Sequence, residues 1–396
     1  MVEVFRKIFK QTFWQTTGKV VTSLSTFITL GLVARNYGEK GTGEFSLALT
    51  YLSLFYLFAD FGFNAHILRQ GTAEWRKLLG TRLVWSAVLV VIVVLTLPVW
   101  PFAGVEFGQA VLFGSLAIIA SAVFLSCNLI FQSRLRYDLS VLSLSTGTLI
   151  SLSVYLYLIK LKYPIPLLLT GYLLGWIITA IVALALVNKL IEGASPLFDY
   201  PYSKKLFKDC WPIAATLALN AVYFRADSFM IAYFKGVADV GVYNLAYQIF
   251  QSALVLPSFI MIAYYPLMLK SFKGMKTVGL VLFGLSFLAV ILTIFSAPIL
   301  IQILTDKGFA GSVVSLQILA LGFPAYFMSS LLMWVMVSKG QYKKMLLIYA
   351  AGLVFNLILN FIYIPQHSYL AAAWTTIISE YLILVMQILL LRGIIS

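Results

Sequence analysis

Residues Thr12–Thr29, TFWQTTGKVVTSLSTFIT, are apolar enough to cross a bilayer, yet polar side chains recur along them. Gln15, Lys19, Thr22, Thr26 and Thr29 follow one another at steps of 4, 3, 4 and 3, which keeps them on one side of an α-helix. Val20, Val21, Leu24, Phe27 and Ile28 fill the rest of the circumference. A lysine at mid-span costs roughly 2.5–3.5 kcal/mol on insertion scales unless it faces water, finds a partner or snorkels. Two readings stay open for Lys19: a stem reaching the headgroups, or a cation on the wall of an aqueous cavity.

The rest of the chain extends the membrane reading. It has 396 residues, 61% hydrophobic and 11% charged, against about 25% charged in soluble domains. A span needs about 20 apolar residues. Twelve segments qualify, centred near Leu24, Leu54, Val91, Ile119, Leu149, Ile177, Tyr223, Val255, Val290, Ala325, Val354 and Ile383. They are long continuous runs, which excludes an outer-membrane barrel with its ten-residue alternation. A basic start (Arg6, Lys7, Lys10) without a small-residue cleavage site predicts that the first span is retained.

The net charge of +14 is a topology signal, so nucleic acid is not an expected partner. With the N-terminus in the cytoplasm, 20 of the 28 Lys and Arg fall on cytoplasmic segments, counting Arg69–Arg82 as a basic loop. Six fall on the opposite side, and Lys19 and Arg225 lie inside spans. This asymmetry predicts a multi-pass protein of the cell (inner) membrane with both termini cytoplasmic.

The second half repeats the first. GVYNLA (Gly241–Ala246) follows GEFSLA (Gly43–Ala48) at an offset of 198, as Gly236 follows Gly38. Ser46, Thr50, Ser53, Leu57 and Asp60 of span two map onto Asn244, Gln248, Gln251, Val255 and Ser258, and Thr22 maps onto Asn220. Pro365 follows Pro164 at 201, so the register slips later. Six spans return the chain to its starting side, which gives both halves one orientation. The expected fold is an all-α polytopic membrane protein of about 12 transmembrane helices. It has two six-helix lobes related by a pseudo-two-fold along the membrane normal: residues 1–189, a cytoplasmic linker 190–208, and residues 209–396.

In such transporters the site lies between the halves. The expected substrate-binding residues are Lys19, Arg225, Gln15, Thr22, Thr26, Asp60, Asn220, Asn244, Gln248 and Gln251. Asp60 is a candidate partner for Arg225 across a cavity. Asp227, Asp60 and Glu380 are candidates for coupling to Na+ or H+, against a structural role in helix pairing; Glu380 stands isolated in span twelve. Tyr223, Tyr243 and Tyr247 are candidates for stacking on sugar rings. No cofactor or metal site is expected. The two cysteines and two histidines have no ligand-spaced partners, and there is no P-loop, HExxH or GxSxG.

Leu32–Gln70, LVARNYGEKGTGEFSLALTYLSLFYLFADFGFNAHILRQ, resembles the Wzx-type polysaccharide flippases of the multidrug/oligosaccharidyl-lipid/polysaccharide (MOP) exporter superfamily, which includes the MATE transporters. The family pattern is met by Arg35, Gly38, Gly43, Asp60, Phe61, Gly62 and Arg69, and its second-half counterpart by Asp227, Gly241, Tyr243 and Ala246. The chain departs from the lipid II flippases in having room for twelve spans where fourteen are typical. The resemblance implies a two-lobed transporter, with no enzymatic activity. It would move an undecaprenyl-diphosphate-linked oligosaccharide from the inner to the outer leaflet by alternating access, in contact with membrane lipid and glycan-assembly machinery. Lys19 and Arg225 would receive the diphosphate. Two alternatives remain open: an ion-coupled MATE-like antiporter of small molecules, and a membrane polysaccharide polymerase or ligase, which the short outward loops disfavour.

Overall fold

The computed structural model describes residues 2–100, 104–191, 193, 195–272, 274–305 and 308–395, with the side chains of 2–13, 220, 262, 263, 266, 267, 270 and 392–395 excluded. The basic N-terminal side chains and Asn220 therefore lie outside the described set. Among the described residues there are fourteen α-helices and no strand. The first seven are α1 (Val2–Asp60), α2 (Phe63–Gln70), α3 (Trp75–Thr96), α4 (Val105–Ser115), α5 (Ala117–Ser133), α6 (Tyr137–Lys160) and α7 (Ile165–Asn188). The second seven are α8 (Tyr200–Phe234), α9 (Val237–Ala253), α10 (Val255–Lys270), α11 (Met275–Leu304), α12 (Ala310–Ala320), α13 (Phe323–Ser338) and α14 (Tyr342–Ile395).

The twelve apolar segments all fall on these helices. At 59 and 54 residues, α1 and α14 are each twice the length of a span, and each turns at one non-helical residue, Gly38 (φ 65°) and Ser368 (φ 51°). Gly38 has no Cβ to oppose a positive φ. The pairs α4–α5, α9–α10 and α12–α13 each make one span broken near its middle; the α12–α13 break bends the path by 44°. Among the described residues seven helical stretches are long and apolar enough to cross a membrane, with α1–α2, α4–α5 and α14 each counted once, and the bent α12–α13 pair makes an eighth. α9 and α10 are too short alone, and α8 carries Asn220, Arg225 and Asp227 through its apolar part.

Two compact units emerge, Met1–Asn36 with Glu44–Ala221, and Tyr37–Gly43 with Val222–Ser396. The repeat seen in sequence is written into the backbone of the two halves of the chain. Left-handed residues recur as Gly38 and Gly236, Leu135 and Gly340, and Lys162 and Ser368, at offsets of 198, 205 and 206. The register slip therefore accumulates before the fifth span.

Small residues set the packing within unit 1. α6 lies against α7 with Ser151 Oγ donating to Gly171 O at 2.7 Å. A Cβ on Gly147 would sit 1.9 Å from Thr179 Oγ1 and 2.3 Å from Gly175 O. This is the close approach small residues allow between helices in lipid. In unit 2 the leading glycines of the repeated hexapeptides meet. A Cβ on Gly241 would lie 2.1 Å from Glu39 O, and one on Gly43 1.6 Å from Val237 O. Glu39 Oε1 accepts the Phe309 N–H at 3.0 Å and so caps α12.

One sequence expectation needs correction. Arg69–Arg82 is not one loop: only Gly71–Glu74 connects α2 to α3, and Arg82 is fully buried inside α3. Within 190–208, α8 begins at Tyr200 and the segment before it is tied down within unit 1. Arg134 Nη1 donates to Leu190 O (2.7 Å), Arg76 Nη2 to Ser195 Oγ (2.6 Å) and Leu197 N to Arg76 O (3.0 Å), while Lys77 pairs with Asp199 at 3.1 Å. The Tyr202 N–H and Lys77 hold the Asp199 carboxyl below its ordinary range.

Candidate functional site

Each unit buries one polar cluster. In unit 1 the last turn of α1, α2, α3 and α5 converge on Arg82. Its Nη2 donates to Asp60 Oδ1 (3.0 Å), Asn64 Oδ1 (3.0 Å) and Asp60 O (3.3 Å). Its Nε donates to Ala59 O (3.2 Å) and its Nη1 to Ser126 Oγ (3.1 Å). The guanidinium also lies over the Phe63 ring, 5.5 Å from its centroid. Phe61 and Gly62, with φ 49° and 75°, make a left-handed turn between α1 and α2. The cluster is fully hydrogen-bonded around the guanidinium, which is what a buried arginine requires.

In unit 2 the focus is Asp227 on α8, 3% exposed. Its Oδ1 accepts Asn360 Nδ2 (2.6 Å), and its Oδ2 accepts Tyr243 Oη and Thr376 Oγ1, both at 2.8 Å. Asn360 also donates to Asn356 Oδ1 (2.9 Å) and accepts from Thr375. Beside it, Ser228 donates to Asn244 Oδ1 at 2.7 Å. One turn towards the N-terminus of α8, Tyr223 Oη donates to Glu380 Oε2 at 3.0 Å. A carboxylate ringed by amide and hydroxyl groups, with amide oxygens from Asn356 and Asn360 alongside, is an oxygen-rich environment suited to a hard cation or a proton.

The sequence-predicted residues divide between the units. In unit 1, Gln15, Lys19 and Thr26 are exposed and Thr22 is half-buried, while Thr29 turns into the packing beside Gly18 and Ser25. The Thr22 and Thr26 hydroxyls bond back to their own helix, at Gly18 O and Thr22 O. In unit 2, Arg225, Gln248 and Gln251 are half-buried and Asn244 is buried. Neither Lys19 nor Arg225 has an ion-pair partner among the described residues.

Two expectations fail on geometry, and Asp60 is already paired with Arg82 through its Oδ1. Glu380 is not isolated, because Tyr223 reaches it. Tyr243 and Tyr247 cannot stack on a sugar, being 1% and 5% exposed and stacked on each other at 5.4 Å. Sequence reading also missed Arg82, Asn64, Asn356, Asn360, Thr375 and Thr376. A signal for part of this set was present: Asn356 and Asn360 share a helix face at i and i+4, as do Thr376 and Glu380, inside otherwise apolar runs.

These features define a multi-pass membrane transporter fold of the MOP type. The polysaccharide biosynthesis protein family matches residues 8–272, two thirds of the sequence, and the chain belongs to that family. The MatE family also matches residues 212–362. Among solved structures, a lipid II flippase MurJ in an inward closed conformation aligns with a TM-score of 0.78 at 14% identity, covering 95% of this chain and 87% of that one. An inward-facing multidrug resistance MATE family transporter of the MOP superfamily gives 0.71 at 14% identity, covering 95% and 94%. A MOP superfamily transporter from Pyrococcus furiosus gives 0.65 at 13% identity, covering 98% and 95%. These similarities establish the fold. No curated protein matches the chain.

Proposed function

We propose that the protein is a flippase that moves a polyprenyl-diphosphate-linked oligosaccharide across the cell membrane, with Lys19 and Arg225 receiving the diphosphate. The carrying observation is the state of these two cations. Lys19, exposed, and Arg225, half-buried, stand in membrane-spanning helices without an ion-pair partner among the described residues, whereas the buried Arg82 is saturated. Unpaired charge inside a span is expensive and marks a substrate or ion path. A diphosphate is a concentrated anion that two such groups would neutralise. Membership of a polysaccharide biosynthesis family supports a glycan cargo. Both termini would face the cytoplasm, since moving Arg82 from loop to helix leaves the excess of Lys and Arg on that side.

The test is complementation. In a strain lacking its own flippase, Lys19→Ala and Arg225→Ala together reduce surface glycan at least tenfold at equal expression. Normal glycan from the double variant would refute the cation role.

A second reading, an ion-coupled antiporter of small molecules, is favoured by the Asp227 cluster and the MatE match. Cation-driven efflux of a small organic solute from proteoliposomes that hold no glycolipid would select it. In both readings Asp227 is the group that would engage a coupling sodium ion or proton.

A further inference from the structure

We propose that Glu380 is a proton-binding site in unit 2, separate from the Asp227 cluster; this rests on the transporter reading above and deepens it. The two acids are solvated by different means. Asp227 receives three donors at 2.6–2.8 Å, enough to satisfy most of a carboxylate's acceptor capacity. Glu380 is equally buried, at 3% exposure, but is served by two neutral hydroxyls, Tyr223 at 3.0 Å and Ser329. No Lys, Arg or His pairs with it among the described residues.

The titratable groups that face Glu380 are Tyr223 on α8, Tyr247 on α9, Tyr326 on α13 and Tyr349 on the first arm of α14. All are neutral phenols at physiological pH. Arg225 acts on Tyr247. An ionised carboxylate in such surroundings relieves its solvation cost by taking up a proton.

Thr376, Glu380 and Gln387 follow one face of α14 at steps of 4 and 7. The Tyr326 Oη, on a residue that interacts electrostatically with Glu380, is buried without a partner among the described residues. An ionised Glu380 adds acceptors only, whereas a protonated one is itself a hydrogen-bond donor. In the binding step, hydronium gives its proton to a Glu380 carboxylate oxygen, forming one O–H bond and leaving water; release is the reverse. Thr376, which donates to Asp227, stands one turn before Glu380, so the occupancy of one site bears on the same helix as the other.

Difference infrared spectroscopy on the purified full-length protein in lipid tests this without any substrate. The wild type should show a protonated-carboxyl C=O stretching band at neutral pH. The band should lose intensity reversibly as pH rises and disappear in Glu380→Gln, but persist in Asp227→Asn. Tyr223→Phe should shift its frequency upward, because one hydrogen bond to the carbonyl is lost; this variant carries the test if Glu380→Gln does not fold. Absence of the band in the wild type, its survival in Glu380→Gln, or an unshifted band in Tyr223→Phe overturns the proposal. Loss of glycan transport leaves these spectra unchanged, so a failure of the flippase reading is seen separately.

Discussion

Arg82→Ala should be the most damaging single substitution in unit 1. The guanidinium is fully buried and donates five hydrogen bonds to α1, α2 and α5. Removing it leaves Asp60 with an unpaired charge, strips Ser126 Oγ and Asn64 Oδ1 of a donor, and opens a cavity under Phe63. Breaking one side of a buried ion pair costs about 3–5 kcal/mol. Asp60 keeps 28% of its side chain exposed, so partial solvation places the loss near the lower end, about 3 kcal/mol. The double variant Arg82→Met with Asp60→Asn removes both charges and should recover at least half of that loss, since no unpaired charge is left behind. Unfolding of wild type, Arg82→Met, Asp60→Asn and the double variant in detergent micelles, followed by tryptophan fluorescence against denaturant, gives the coupling energy directly. If Arg82→Ala shifts stability by less than about 0.5 kcal/mol, the size expected of an ordinary surface change, the Asp60–Arg82 cluster does not hold unit 1 together as described.

Further tests follow the same contacts. Gly147→Val should cost at least about 1–3 kcal/mol by overpacking, because its Cβ would meet Thr179 and the Gly175 carbonyl; thermal unfolding in micelles reads the loss. Asp227→Asn should abolish any stabilisation by added sodium in a thermal-shift titration, since its amide presents N–H groups where Asn360 Nδ2 already donates. The tether of residues 190–199 should be pH-dependent. The Asp199 carboxyl is held below its ordinary value by the Tyr202 N–H and Lys77, so its contribution is present above the unfolded-state value and lost as pH falls through the lower folded one. Limited proteolysis should therefore cut this segment faster below about pH 4, and Asp199→Ala should cut equally fast at pH 7.

The membrane class was legible in the chain alone, because lipid leaves the backbone few options. A run of some twenty apolar residues must become a helix to satisfy its own N–H and C=O groups, so twelve such runs forced an all-α protein. The repeat was legible too, since a turn such as Gly38 or Gly236 needs the same residue type wherever it recurs. The polar stripe of the first span was visible as a spacing, yet its members proved unequal: Thr29 went into helix packing while Gln15, Lys19 and Thr26 stayed exposed.

Partnership was the part that spacing could not supply. Asp60 and Arg82 are 22 residues apart, and Asp227 and Asn360 are 133 apart, so only folded helices bring them within hydrogen-bond reach. Periodicity reports which face of a helix is polar, but a buried charge is defined by what stands opposite it. Sequence therefore fixed the helices and the positions of their charges. The tertiary structure decided that Asp60 is spoken for by Arg82, that Asp227 is surrounded by donors from α9 and α14, and that Glu380 is left with hydroxyls alone.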